Sequence, residues 1–277
     1  MPYQCPVCKT PLLLNTNSSS YSCANQHHFD VAKQGYVNLL PVQHKNSKQP
    51  GDNKQMLQAR REFLEAGYYQ AMADNVAKLL AENLSTENSL NLLDLGCGEG
   101  YYSRCIARYF ADKLNLNVHG IDIAKVAIAA AAKIQPDARF AVAGSHRLPY
   151  QDKYFDVLIS IFAPANHAEI CRVLKANGLL LTVTPGPRHL WQLKEFIYPQ
   201  VRAHTPTDHI PEGLVKLAAL PLHNSIIPSN THRLALLQMT PFAWRASPEI
   251  RQAITDADNL RIETDFILTL WQKLSYA

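Results

Sequence analysis

The chain has 277 residues, of which 47% are hydrophobic and 18% charged, a composition that is typical of globular proteins and excludes a disordered chain. No stretch approaches the ~20 consecutive apolar residues of a membrane span, and no basic segment followed by an apolar run marks the N-terminus for export. The net charge is +4, but residues 1–61 hold seven basic and two acidic side chains, so the remainder sums to −1. An anionic partner at the front of the chain and a chance excess of surface lysine explain this asymmetry equally well.

Three of the six cysteines cluster near the N-terminus. Cys5 and Cys8 are separated by two residues, and Cys23 follows fourteen residues later with His27 and His28 close behind. This spacing is typical of a zinc ribbon rather than a disulfide framework, and a segment of about 40 residues buries too little apolar surface to fold unaided. Four protein ligands leave no open coordination site, so we predict one structural Zn2+ on the three cysteines and either His27 or His28. A metal pattern without an export signal also indicates a cytoplasmic protein with no membrane partner.

The chain divides by composition into three parts. We predict a zinc-ribbon module at 1–40, a basic linker with two helices at 41–89, and an α/β domain at 90–277. The first helix begins at a cap on Asp52 or Asn53 and ends at Gly67. Basic side chains of the linker suit contacts with the phosphates of a nucleic acid. They are Lys45, Lys48, Lys54, Arg60 and Arg61.

From residue 90 onward, short apolar runs alternate with helical patterns. The pattern predicts strands at 90–95, 118–123, 139–143, 156–161 and 179–183, with helices at 102–110, 126–134 and 167–174. Such alternation predicts an α/β fold in which helices cover both faces of a parallel sheet. Farther on, we predict helices at 188–201 and 233–239 and an antiparallel strand at 262–271 that closes the sheet.

A glycine-rich loop follows the first strand of this domain. Gly96, Gly98 and Gly100 alternate with Cys97 and Glu99 directly after Asp94, which allows a tight turn and close approach to a ligand. The pattern by itself is weak, because dinucleotide-binding dehydrogenases share it. Glu99 would repel a pyrophosphate, whereas Asp94 and Glu99 suit the ammonium and sulfonium of S-adenosylmethionine.

Asp122 ends the next strand, about 22 residues after Gly100. A carboxylate at this position accepts hydrogen bonds from both hydroxyls of a ribose. The alternative is an N-cap for the following helix, and one side chain can fill both roles.

Three further segments, at 145–152, 155–159 and 172–180, complete an ordered set of motifs that resembles class I methyltransferases. The resemblance runs from 90 to 187 and implies a Rossmann-like domain with a mostly parallel seven-stranded sheet and S-adenosylmethionine as cofactor. Gly144 stands where many relatives carry an acid for the adenine amino group. Adenine contacts would then come from backbone atoms or from Ser145 and His146.

Family-specific segments span nearly the whole chain and resemble the 23S ribosomal RNA guanine-N1 methyltransferases of the Gram-negative type. They are Cys5-Pro6-x-Cys8, His28-Phe29-Asp30, residues 35–43, Gln58-Ala59-Arg60-Arg61, residues 184–190 and residues 237–244. The resemblance implies methyl transfer to N1 of a guanine in a hairpin of 23S rRNA, His27 as the fourth zinc ligand, and a homodimer. It also implies cofactor contacts from Gly98, Glu99, Tyr69 and His189, although spacing alone would make Tyr69 a packing residue and His189 a surface residue.

Two other functions compete with this one. The central motifs also resemble small-molecule, quinone-type methyltransferases, which need neither a zinc module nor a basic linker. A sister branch of the rRNA enzymes modifies a neighbouring guanine and affects macrolide sensitivity. The sequence names no clear general base: His167 and His189 are weak candidates, and residues 161–164 carry neither the Asn/Asp-Pro-Pro-aromatic signature nor a Pro-Cys nucleophile.

Overall fold

A computed structural model describes residues 2–41, 43, 51–84, 89–164, 166–205 and 212–275, so Lys45 and Lys48 lie outside the described residues. The N-terminal segment forms a small antiparallel sheet in the order β1-β2-β3. Its strands are β1 (Leu13–Asn15), β2 (Ser20–Ser22) and β3 (His28–Asp30).

The main sheet has eight strands in the order β10-β11-β9-β8-β5-β6-β7-β4. They are β4 (Val37–Asn38), β5 (Ser89–Leu95), β6 (Asn115–Asp122), β7 (Arg139–Val142), β8 (Phe155–Ile161), β9 (Leu174–Pro185), β10 (Leu214–Ile226) and β11 (Ile262–Lys273). Strands β4 to β9 are mutually parallel and β11 runs antiparallel to its neighbours β9 and β10. The mostly parallel sheet is confirmed, with one strand more than the seven expected, because β4 from the N-terminal segment pairs with β7.

Eight α-helices pack around the sheet in the described part of the chain. They are α1 (Lys54–Glu65), α2 (Gln70–Asn83), α3 (Tyr101–Phe110), α4 (Lys125–Ile134), α5 (His167–Val173), α6 (Trp191–Glu195), α7 (Asn230–Gln238) and α8 (Pro248–Asp256). Asn53 rather than Asp52 caps α1, since its side chain accepts a hydrogen bond from the Met56 amide. None of these helices combines the length and apolar character that crossing a membrane would require.

The C-terminal third departs most from the sequence prediction. The helix expected at 188–201 is only the short α6, and strand β10 and helix α8 were not predicted. Strand β10 could not be predicted from the sequence because both of its faces are largely exposed, so it lacks the apolar alternation of a half-buried strand. The chain also enters β9 at Leu174 directly after α5, five residues before the predicted strand.

The zinc ribbon shares a hydrophobic core with the α/β domain. Tyr3 and Leu12 are almost fully buried in one cluster with Tyr150 and Phe155. The backbone amide of Gln4 donates to the Pro149 carbonyl at 2.9 Å, which joins the two parts through main-chain hydrogen bonding as well. The ribbon therefore packs directly against the α/β domain, and its removal would expose apolar residues of the core that the two parts share.

A histidine without polar partners lies beneath this docking surface. His119 on β6 is fully buried against the rings of Tyr150 and Phe155, at centroid distances of 5.7 and 5.3 Å. Neither ring nitrogen finds a hydrogen-bond partner within the described residues. Burial lowers the pKa of His119 from 6.5 to about 3, so the folded protein holds this imidazole neutral.

We expect His119→Leu to reduce the acid sensitivity of the fold. A depressed histidine pKa means that the unfolded chain takes up a proton first, so stability falls as pH drops from 6.5 towards 3, by up to roughly 4 kcal/mol. Urea unfolding at pH 7, 5 and 4 measures this slope for wild type and variant. His146→Leu, at an exposed histidine, is the matched control; equal slopes in all three proteins would contradict the assignment.

Candidate active site

The glycine loop lies at the carboxyl ends of the parallel strands, where the chain order reverses between β5 and β8. Gly96 has φ +69°, and a Cβ there would lie 2.6 Å from the Cβ of Ala163. Only glycine fits such a left-handed position against a neighbouring chain segment. The Cys97 amide donates to the Ile121 carbonyl at 2.9 Å, which ties the loop to β6. The backbone of the glycine loop thereby lines a cavity above the sheet.

Asp122 braces the loop and also faces the cavity. One carboxylate oxygen accepts from the Gly98 amide at 3.0 Å, and the other accepts from the Ala124 amide at 2.7 Å, at the start of α4. Each oxygen retains a free lone pair, so the carboxylate can still accept from ribose hydroxyls. The two roles weighed from the sequence are thus compatible in one side chain.

Asp94 is buried beneath the loop, 1% exposed, and accepts a hydrogen bond from the Ser103 hydroxyl at 2.5 Å. Burial, with a smaller contribution from the nearby Asp122 carboxylate, raises the pKa of this carboxyl to about 7. A cationic ligand in the cavity would favour the ionised form. The site is therefore suited to a donor that carries positive charge.

Glu99 lies at the cavity wall but is paired within the protein. Arg61 donates two hydrogen bonds to its carboxylate, at 2.7 Å through Nε and 2.5 Å through Nη2. Arg60 forms an ion pair with Asp52. Glu99 and the two arginines therefore form ion pairs within the protein, and their predicted contacts with the cofactor and with phosphates stay predictions. Of the predicted phosphate contacts, Lys54 is exposed at the first turn of α1.

Tyr69 and His189 approach each other across the cavity. Tyr69 is 2% exposed and His189 9%, with ring centroids 6.3 Å apart, and both rings contact Phe266. The Nδ1 atom of His189 is buried without a hydrogen-bond partner in the described chain. Burial lowers the pKa of His189 to about 3, so this imidazole is neutral. It can exchange a hydrogen bond with a ligand, but it is too weakly basic to be a good general base.

Ser145 and His146 follow β7 and lie at the cavity rim, where Ser145 is half-buried and His146 exposed. The His146 carbonyl accepts from the Asn166 side chain at 3.2 Å. Gly144 lines the same rim with no atom within 4 Å of a Cβ built on it. This open space beside the rim agrees with an adenine held there without an acidic partner.

The cysteines of the N-terminal segment converge with His27. Their ligand atoms and His27 Nδ1 all lie within 4.8 Å of one another, with Cys8 Sγ 3.6 Å from Cys23 Sγ and Cys5 Sγ 3.7 Å from His27 Nδ1. These separations fit a tetrahedral zinc with Zn–S bonds of about 2.3 Å. His28 instead stands exposed in β3, which decides the choice between the two histidines.

The cavity above the sheet measures about 1550 Å³, and its charged lining residues fall into two groups. Five acidic residues, all between residues 52 and 122, line it near the glycine loop, and three of them are paired with Arg60, Arg61 and Arg104, which line it too. From residue 143 onward the lining holds no acid but includes Lys194, His204 and Lys216. We call the lining around the glycine loop, with Tyr69, Ser145, His146 and His189, the donor half, and the lining that contains Phe162, Lys194, His204 and Lys216 the acceptor half. Sequence reasoning missed these three basic residues, because no local signal sets them apart from surface residues.

Two family models match separate parts of the chain. A family model described as "RlmA, N-terminal" matches residues 3–48, and one described as "Methyltransferase domain" matches residues 92–178. A Bacillus subtilis protein provisionally named as a 23S rRNA (guanine-N1)-methyltransferase is 29% identical over 98% of this chain and 97% of its own. The 23S rRNA (guanine(748)-N1)-methyltransferase of Streptomyces fradiae is 34% identical over 69% of this chain and 65% of its own.

A protein of Micromonospora griseorubida, with the same provisional name as the B. subtilis protein, is 31% identical over 88% of both chains. The resemblance drawn from the motifs is confirmed by these matches, as are the class I fold and the zinc ribbon. The chain is a member of the 23S rRNA (guanine-N1)-methyltransferase family, with a zinc ribbon joined to a methyltransferase domain that uses S-adenosylmethionine.

Proposed function

We propose that this protein transfers a methyl group from S-adenosylmethionine to N1 of a guanine in 23S rRNA. The observation that carries the proposal is the charge of the cavity lining. Asp94 and Asp122 lie beside the glycine loop and form no ion pair within the described residues, whereas the acceptor half contains lysines and no acid. A cationic donor fits the donor half and a polyanionic acceptor the acceptor half. A small apolar acceptor would not require the basic half.

In the donor half we assign Asp122 to the ribose hydroxyls and Asp94 to the positive charge of the donor, with Gly96 and Gly98 allowing close approach. Tyr69 and His189 would flank the cofactor, as the family resemblance implies. When bound, S-adenosylmethionine supplies a methyl group on a sulfonium. The protein's own contribution is then alignment of the two reactants and exclusion of water.

In the acceptor half we assign Phe162 to stacking on the target base. It directly follows β8 with φ +55° and remains 44% exposed, although its ring centroid is 5.7 Å from that of His189. A non-glycine residue in this conformation is uncommon, and it turns the chain at the mouth of the cavity. Aromatic faces of this kind hold bases that have been taken out of a loop or helix.

We propose that residues 1–40 form an RNA-recognition module, 41–89 a linker and 90–277 the catalytic domain. Lys54, together with Lys45 and Lys48 outside the described residues, would contact phosphates, while Arg60 and Arg61 order the donor half through Asp52 and Glu99. We further propose a hairpin loop as the substrate, a homodimer as the working form and the cytoplasm as its location.

The test is mass mapping of 23S rRNA from cells with and without this protein. We expect one 1-methylguanine to disappear from the deletion strain and return on complementation. Its position, at a guanine equivalent to the 748 site or at a neighbour, identifies the branch of the family. Unchanged rRNA together with a missing methyl group on a small metabolite would contradict the proposal.

A further inference from the structure

Lys194 lies on helix α6 and lines the acceptor half of the cavity. We infer that its ammonium group binds O6 of the target guanine and stabilises the base after N1 has lost its proton. This inference rests on the proposed function and adds a residue that acts directly on the acceptor. Two features of the structure and the chemistry of guanine support it.

The first feature is charge without a partner. Lys194 is half-buried, yet within the described chain it forms no ion pair, and no acid lines its half of the cavity. The neighbouring Glu195 is engaged by the indole N–H of Trp191 at 2.9 Å. Burial lowers the pKa of Lys194, so the protein bears a cost for holding a cation here that an anionic ligand would offset.

The second feature is position. Lys194 follows His189 by five residues, and both residues line the cavity. His189 in turn lies beside Phe162, with the two rings inclined by 31°. In the proposed arrangement, a base stacked on Phe162 presents its polar edge to Lys194 and to the Nδ1 atom of His189, which has no hydrogen-bond partner within the described residues.

The third feature is the chemistry of the acceptor. Guanine N1 carries a proton, and its nucleophilic lone pair becomes available when that proton leaves; the negative charge then spreads onto O6. A lysine ammonium is a common partner for guanine O6, and a fixed cation in a site of low dielectric stabilises charge that develops there. In the balanced step, N1 forms a bond to the methyl carbon, the carbon–sulfur bond electrons pass to sulfur, and the N1 proton goes to solvent. Lys194 stays protonated throughout.

Two other roles for Lys194 make different predictions. If a neutral Lys194 acted as the general base at N1, replacing it by arginine would abolish methyl transfer, because arginine stays protonated at every accessible pH. A lysine that only binds a phosphate would affect RNA affinity and its salt dependence rather than the chemical step. The experiment therefore compares Lys194→Met with Lys194→Arg, and measures single-turnover methylation of an rRNA hairpin fragment from pH 6 to pH 10.

We expect Lys194→Met to reduce the single-turnover rate at pH 7 by about 100-fold, the effect typical of losing one donor to a developing charge. The deficit should shrink as pH rises, because hydroxide then removes the N1 proton without help from the cation. Lys194→Arg should retain most of the rate, since arginine also binds guanine O6. Binding of S-adenosylmethionine, measured by calorimetry, should be unchanged in both variants.

Lys133→Met, at an exposed lysine on α4, is the matched control and should behave as wild type. A pH-independent loss, a loss confined to RNA affinity, or an arginine variant as poor as the methionine variant would overturn the role of Lys194. If wild type forms 1-methylguanine and all variants do so equally, only this inference fails. If wild type forms none, the proposed function itself fails.

Discussion

Replacing Gly96 by alanine is expected to weaken binding of S-adenosylmethionine by roughly 30-fold or more. The left-handed conformation of Gly96 costs an L-residue ~1–2 kcal/mol, and a Cβ there would lie 2.6 Å from that of Ala163. Relief of such overpacking costs a further ~1–3 kcal/mol. Because the contact is with a Cβ rather than the end of a flexible chain, the loop itself must move away from the cofactor.

Calorimetric titration with S-adenosylmethionine measures this effect. Alanine substitutions at two other glycines of the cavity are the controls. Gly98→Ala keeps the left-handed strain at φ +55° but has no atom within 4 Å of the new Cβ, so an intermediate loss is expected. Gly144→Ala introduces neither strain nor contact and should bind nearly as wild type. Equal affinities for the Gly96 and Gly144 variants would show that the loop does not hold the cofactor.

The substitution Cys8→Ser is expected to lower the unfolding temperature of the whole protein, by about 10 °C or more. Structural zinc sites contribute ~10–16 kcal/mol of binding free energy, and loss of even a quarter of this shifts the midpoint of a chain of this size by several degrees. The effect spreads beyond the ribbon because Tyr3 and Leu12 lie in the same core cluster as Tyr150 and Phe155.

The same variant should retain its affinity for S-adenosylmethionine at temperatures where it is folded, since residues 2–41 contribute nothing to the cavity lining. Zinc content by mass spectrometry, thermal unfolding and calorimetry together test this. Cys171→Ser, at a half-buried thiol on α5 outside the cluster, is the matched control. An unfolding temperature equal to wild type would contradict the shared core, and loss of cofactor binding in the folded protein would contradict a separate donor half.

Much of the donor half could be predicted from the sequence. Strand β5, the glycine turn and helix α3 follow one another directly along the chain, so local periodicity and turn chemistry are sufficient to predict the loop. Asp122 is found by its distance along the chain, and the zinc ligands by the spacing of Cys5, Cys8 and Cys23. In each case the signal lies in a short segment whose own physics fixes its shape.

The acceptor half could not be predicted in this way. Lys194 and Lys216 line one cavity only because β11 pairs with β9 and β10 pairs with β11 at the edge of the main sheet, and β10 has no apolar alternation from which it could be predicted. The pairing of Arg61 with Glu99 is likewise a contact across 38 positions, which the sequence did not predict. Charge partners of this kind depend on distances between elements, about which composition and spacing say nothing.

The sequence by itself therefore determined the family, the donor loop and the three cysteines of the metal cluster, because each is encoded in a short segment. The tertiary structure alone decided that His27 rather than His28 joins the cysteines, that the ribbon shares a core with the α/β domain through Tyr3, that β4 extends the sheet, and that Lys194 and Lys216 line one cavity. These features arise from packing between segments far apart in the chain. Long-range packing selects partners by shape and charge only after the local elements have formed.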